Sequence, residues 1–478
     1  MTTKPAGLMD QYLEMKKQAG EAVLFFRVGD FYEMFYEDAE TCSKALGIAL
    51  TSRQKDEIGG RIPMAGVPVK AAEGYLARMI RQGFKIAICE QVEEASQAKG
   101  VVRREIVRVV TPGTLTEDGV LSALDHNYLL AVHRTPEAVG LAWVDLSTGT
   151  FLAEDFPEGE VLHHLVRLDP GEVLVGEDAL AADDGFLGRI GRETRAAITR
   201  RADWNFRAER ARERLVAHFR VQSLAGFGCD ELGPALGAAG ATLAYLEETQ
   251  KSDVGHVRRI ARFPRRERMV LDRATLGALE VARTMKDGDR KGTLLWAVDR
   301  TVTAMGARLL KDWLLSPLLD PAEIGRRQDA VAEFLEKPAE REALRGLLAR
   351  VQDLERIAAR ISCLRAGPRE LLGLRSSTLP FPEVRRRVLE LFSPGGLLAA
   401  TGARVDPLED LSDLLARALA DEVPPSLADG GVFRRGWNVE LDECRSMVAD
   451  GNAWLVEYQA REVARSGIAS LKVGYNSV

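Results

Sequence analysis

The spacing of apolar residues changes character once along this chain, and that change limits the fold more than any single motif does. Up to about Gln250, short apolar runs alternate with stretches of helical periodicity. The runs Ala22–Val28, Lys85–Cys89 and Ile106–Val110 are dominated by apolar and β-branched residues, as buried strands require. Thr111-Pro112-Gly113-Thr114 interrupts the pattern and predicts a boundary near residue 115. Tyr128–His133 and Gly140–Leu146 read as a hairpin connected through Thr135-Pro136-Glu137, with a third strand, Thr150–Glu154, after Ser147-Thr148-Gly149. From about Arg258 to Gly430 amphipathic stretches rich in Leu, Arg, Glu and Ala take over. Ala274–Met285 and Ala339–Leu364 each read as one helix, and Pro317, Pro321, Pro338, Pro368 and Pro424-Pro425 punctuate the region. A last helix, Glu440–Arg465, leads into a predicted strand, Ser470–Tyr475. At 478 residues the chain exceeds what one core serves, so the fold class is multidomain, α/β followed by α.

Composition narrows the function classes. Hydrophobic residues at 46% and charged residues at 28% suit a globular chain. No run of eighteen apolar residues is present, and the N-terminus lacks the apolar stretch of a secretory signal, so no membrane partner is expected. Cys42, Cys89, Cys229, Cys363 and Cys444 are scattered without a CxxC pair, which argues against a disulfide framework or a zinc site and for a reduced, cytoplasmic protein. The net charge of −6 does not favour nucleic acid. Residues 1–115 hold 16 Lys+Arg against 15 Asp+Glu, however, and Lys99, Arg103, Arg104 and Arg108 run close together. That run is either a phosphate-facing cluster or a solvated charged strand.

No catalytic machinery is legible. The pattern GxxxxGK[ST] is absent, Gly288–Thr293 having its composition without its spacing, and neither HExxH nor GxSxG occurs. His163-His164 reads as a helix surface. Asp145, at a strand end, could suggest a metal-dependent nuclease, but no companion acid stands out on the neighbouring strands. No catalytic residue, metal or cofactor is therefore expected within these residues.

Leu24–Tyr36 is the most informative segment. A strand ends at Gly29, Asp30 is a suitable helix N-cap, and Glu33 three residues on completes a capping-box pattern. Phe35, Ala39, Cys42 and Leu46 follow at helical spacing. This predicts Phe31 in a first helical turn, either as one more core aromatic or as a side chain that projects beyond the helix end to stack on a base.

Gly29-Asp30-Phe31-Tyr32-Glu33-Met34-Phe35 closely resembles the opening signature of the MutS family. Ile62–Pro68, Ala87–Gln91, Arg108–Thr114, Leu224–Gly228, Thr303–Leu310, Asp429–Val432 and Leu471–Asn476 follow in family order. The resemblance implies a mixed α/β mismatch-recognition domain over 1–115 and a ribonuclease-H-like α/β connector without nuclease activity over 125–245. It further implies a long-helix lever over 258–436 and the start of a clamp over 437–478. It implies that Phe31 enters the minor groove of mispaired duplex DNA while Glu33 hydrogen-bonds the displaced base, with Arg53, Met64, Lys99 and Arg104 near the DNA. A homodimer, a MutL-type partner, and ATP with Mg²⁺ are implied for a longer protein in which an ATPase domain follows. Two departures stand out: Val69-Lys70 replaces a frequent Tyr-His, and Trp437 replaces a Tyr or Phe. A non-catalytic helical interaction scaffold and a nuclease remain the alternative functions.

Overall fold

The computed structural model describes residues 7–55, 60–93, 101–117, 121–177, 185–251 and 254–474. Two six-stranded sheets occupy the first half, and helices the second. The first sheet has the order β3-β4-β2-β1-β5-β6, where β1 is Val23–Val28, β2 Phe31–Phe35, β3 Thr51–Lys55, β4 Arg61–Pro68, β5 Ile86–Gln91 and β6 Arg104–Val110. β1 and β5 are parallel; the other neighbours are antiparallel. Strand alternation sends Val23, Phe25, Tyr32 and Met34 to one face, against helices α2 (Tyr36–Leu46) and α3 (Ala72–Arg81). Leu24, Phe26 and Phe35 go to the other, under α1 (Leu8–Ala19). The hydroxyl of Tyr12 in α1 donates to the Phe35 carbonyl at 3.0 Å and to Asp38 at 3.1 Å, and Asp38 accepts from the Leu24 backbone at 3.0 Å. One carboxylate thus ties α1, β1 and α2 together.

The second sheet has the order β11-β10-β7-β8-β9-β12, where β12 is the short strand Ala261–Arg262, parallel to β9. The expected three-strand meander is present as β7 (Tyr128–Arg134), β8 (Val139–Asp145) and β9 (Thr150–Phe156). β10 (Glu172–Gly176) and β11 (Ala197–Arg201) extend it in parallel beyond β7. The helix Pro234–Gln250 crosses β7 and β8 and is buried almost all round. Its close seating depends on Gly140: a Cβ there would lie 2.0 Å from the Ala235 nitrogen. At the join between the sheets, the buried Glu172 carboxylate accepts from Thr111 Oγ1 at 2.5 Å and Tyr245 OH at 2.7 Å.

Several expectations need correction here. Ala339–Leu364 is two helices, Pro338–Leu348 and Leu354–Ser362. Asp353 caps the second and its carboxylate also grips the Arg308 guanidinium at 2.6 and 2.8 Å, which fixes the break. Ala274–Met285 is helical only to Ala278. Ser470–Gly474 is turn and irregular chain rather than strand, because no partner strand lies beside it among the described residues; Tyr475 is outside them. His164 is not at a helix surface but buried, its ring 4.1 Å from that of Phe156, and burial pushes its pKa down to about 3.

Candidate nucleic-acid interface

β1 and β2 are joined by the two-residue loop Gly29-Asp30. Gly29 has φ +59°, the left-handed conformation that tight hairpin loops require and glycine supplies without a Cβ clash. Val69 N donates to the Asp30 carbonyl at 2.9 Å, fastening the loop to the segment after β4. The predicted helix start at Asp30 is therefore incorrect. The chain is β-strand through Phe35, the helix begins at Tyr36, and the Asp30–Glu33 capping box does not form. Aromatic and β-sheet pairing with Val67, Gly66 and Ala65 overrides the local capping pattern.

The strand period brings the two candidate residues together more directly than a helix would. Phe31 and Glu33, two apart, point to the same face. They lie over Gly66 on β4, whose missing Cβ would sit 3.9 Å from Phe31 Cδ1 and 3.8 Å from Glu33 Cγ. Tyr32, Met34 and Phe35 are buried, whereas Phe31 is 46% exposed and Glu33 only 7%. An aromatic ring at the tip of a pinned hairpin, with a carboxylate recessed beside it, is the outcome. Burial raises the Tyr32 hydroxyl pKa, and its hydrogen bond to Glu90 adds to the effect, so the phenol stays neutral. Its ring packs at 6.0 Å from that of Phe25 beneath the hairpin.

The remaining expected contacts divide. Met64 is partly buried opposite Phe35 and Thr51, on the sheet that carries the hairpin. Arg53 lies in the backbone of β3; Lys99 lies outside the described residues. Arg104 is turned inward. Its Nε donates to the Arg27 carbonyl at 2.7 Å, its Nη1 to the Val102 carbonyl at 2.8 Å and Gln11 at 3.2 Å, and its guanidinium stacks 4.9 Å over the Phe26 ring. Burial pulls its pKa below the ordinary arginine value, while Cys89 and Glu33 oppose that pull. Arg104 is thus engaged within the protein, on the face that bears Glu33. Arg108 pairs with buried Glu117, and Arg103 alone of the described run is well exposed. Lys70, exposed one residue beyond the Val69–Asp30 hydrogen bond, is a cation near the hairpin tip that sequence reasoning did not assign. Its only signal was the departure at Val69-Lys70.

Asp145 is fully buried, accepting from Ser147 N at 2.9 Å and Ser147 Oγ at 2.7 Å and bonded to His126 Nδ1 at 2.7 Å. No group of three or more metal-ligating side chains occurs among the described residues.

Family models match the chain in three consecutive stretches: MutS domain I at residues 6–119, MutS domain II at 127–258 and MutS domain III at 274–470. The chain belongs to the MutS family. It is 44% identical, over 99% of its length, to the DNA mismatch repair protein MutS of Symbiobacterium thermophilum. It is 42% identical over its full length to the protein of the same name from Methanothrix thermoacetophila, and 42% identical over 98% to that of Myxococcus xanthus. These alignments take in 54%, 54% and 52% of the relatives, so the chain spans about half the length of the MutS proteins it matches. The Phe31 hairpin lies within MutS domain I, and the sheet containing Asp145 within MutS domain II.

Proposed function

We propose that this chain serves DNA mismatch repair by reading mispaired or unpaired bases in duplex DNA, with Phe31 as a minor-groove wedge. The observation that carries the reading is the exposure of Phe31 at a pinned hairpin tip beside the recessed Glu33, where Tyr32 and Phe35 of the same strand are buried. Inserting a ring between base steps unstacks and kinks the duplex at a cost of a few kcal/mol. The cost is smallest where pairing is already faulty, so deformability selects the site. Glu33 would accept a hydrogen bond from the displaced base; on paired DNA its charge only repels phosphate. Arg53, Lys99, Lys70 and Arg103 would hold phosphates without reading sequence, and Met64 would sit beside the groove.

The second sheet would be a ribonuclease-H-like connector in which Asp145 is structural, followed by a lever and the start of a clamp. ATP binding with Mg²⁺, homodimer formation and coupling to a MutL-type partner would belong to the longer protein. A helical interaction scaffold is the second reading, favoured by the exposed Val439, Met447, Val448 and Val456 on one helix.

The deciding experiment compares affinities for matched and mismatched duplexes in a full-length background. Phe31→Ala should erase the preference for mispaired DNA, a loss of roughly 1–3 kcal/mol for one base stack, while Glu33→Ala should raise binding to perfect duplex. A Phe31→Ala protein that keeps its mismatch preference ends the wedge reading, and a wild-type protein without any preference favours the scaffold.

A further inference from the structure

The second sheet and the helical half enclose a cleft of about 560 Å³, within the size range of small-ligand sites. Its charge is lopsided. Four of the cations lining it are already matched: Lys311 to Asp125 at 2.6 Å, Arg290 to Asp299 at 2.5 Å, Arg283 to Asp169 and Arg273 to Glu193. Three more, Arg167, Arg192 and Arg195, line the same cleft and take no carboxylate among the described residues. Arg167 is the most telling. Its Nη1 donates to Ser316 Oγ at 3.1 Å and its guanidinium lies 4.8 Å over the Phe263 ring, but its Nε and Nη2 are buried without an acceptor. Those two donors are closed to solvent, so Arg167 acts on the cleft as an uncompensated positive charge behind its wall, while the exposed Arg192 and Arg195 are the guanidinium groups an anion can touch. Leu276, Val281 and Leu315 supply an apolar wall to the cleft.

We infer that this cleft binds a small phosphate-bearing anion through Arg192 and Arg195, with the buried charge of Arg167 adding to the local positive field. Guanidinium forks match phosphate oxygens in pairs, and two exposed forks backed by a third cation, none paired with a carboxylate among the described residues, suit a multiply charged phosphate better than a single carboxylate. Arg167 sits in the helix Glu158–Leu168, and Arg192 and Arg195 at and beyond the end of the helix Phe186–Glu193, all on the second-sheet unit. Arg290 and Lys311 belong to the helical half. An occupant therefore bridges the two, and the site owes nothing to the DNA reading of the hairpin.

The test uses the 478-residue chain with pyrophosphate, a nucleoside triphosphate and a short DNA duplex as separate probes, read by calorimetric binding and by melting temperature. Pyrophosphate or the nucleotide at about 10 mM should raise the melting temperature by mass action. The double variant Arg192→Gln/Arg195→Gln, altered only at exposed positions, should weaken that binding about tenfold or more. The remote Arg210→Gln should not change it. Binding that survives in the double variant, or no effect of either small probe, overturns the inference. So does duplex binding that needs these arginines while the small probes do nothing.

Discussion

The sheet half and the helical half of this molecule solve the problem of burial differently. In the sheets, Leu24, Phe25, Trp143 and Leu174 are all at most 1% exposed. Among the helices beyond Arg265, Met447 is 65% exposed, Leu335 68%, Val456 72% and Val439 77%. A sheet flanked by its own helices closes both faces with a few consecutive elements. An amphipathic helix has to find another helix, and its stripe stays open where none lies beside it. The helical half is instead positioned largely by polar clasps on the linker between the sheets. Arg308, 1% exposed, binds the Ala123 carbonyl as well as Asp353 and Glu355. Arg356 donates to the carbonyls of Ser122 at 2.9 Å and Asp125 at 2.8 Å. Apolar burial thus sets the stability of one half, and arginine geometry sets the placement of the other.

The contrast can be broken most directly by truncation. Phe25→Ala or Leu174→Ala should cost about 3–5 kcal/mol in denaturant unfolding, and Leu335→Ala less than about 1 kcal/mol. Similar losses at all three would erase the distinction. Arg308→Ala should come next, at roughly 3 kcal/mol, because it strands Asp353 and frees the linker. Faster amide exchange at residues 121–126 should accompany it; exchange that stays unchanged there would remove the clasp from the account.

Two histidines sharpen the comparison through pH, with opposite signs. His126 belongs to the clasped linker. Burial would lower its pKa, but hydrogen bonds to Asp145 and to Asp312 at 3.3 Å prevail and raise it to about 9. Its contribution is complete below pH 6.5 and is lost as pH rises from there through about 9. Over that range roughly 3 kcal/mol should disappear, and His126→Gln should flatten the alkaline side of the stability profile. His164, in the sheet core, is depressed to about 3 by burial first and by Arg167 and Arg265 after it. It favours the fold above pH 6.5, and that advantage should fall by about 3 kcal/mol between pH 6.5 and 4.5. Urea titrations of His164→Leu at both pH values check this; an acid-side loss as steep as the wild type would show that other groups cause it.

The smallest effect belongs to the hairpin. Phe31→Ala should change the melting free energy by no more than about 1 kcal/mol, since half of its surface is already in water. A loss comparable to Phe25→Ala would return Phe31 to the core and remove the structural basis of the proposed wedge.

Much of the architecture was legible in residue order. β-Branched runs gave β1, β5 and β6, the spacing of turn residues gave the meander β7–β9, and the periodicity after residue 258 gave helices, because these patterns reflect which side of a local element meets water. Family motifs singled out Phe31 and Glu33 as a pair. Short-range chemistry nonetheless misplaced them. Asp30 and Glu33 satisfy a capping box on paper, but pairing of β2 with both β1 and β4 gives its backbone partners on two sides, which no single helical turn could match. The fate of the cations was equally hidden. Lys99, Arg103, Arg104 and Arg108 look alike in one dimension. Only the packing of α1 and β1 against β6 turned Arg104 onto carbonyls and the Phe26 ring, and only the fold of residues 111–117 gave Arg108 a buried carboxylate. Burial of a charge depends on partners distant in sequence, so no local pattern announces it. Exposure of Phe31 is decided in the same way, by what the rest of the chain leaves uncovered.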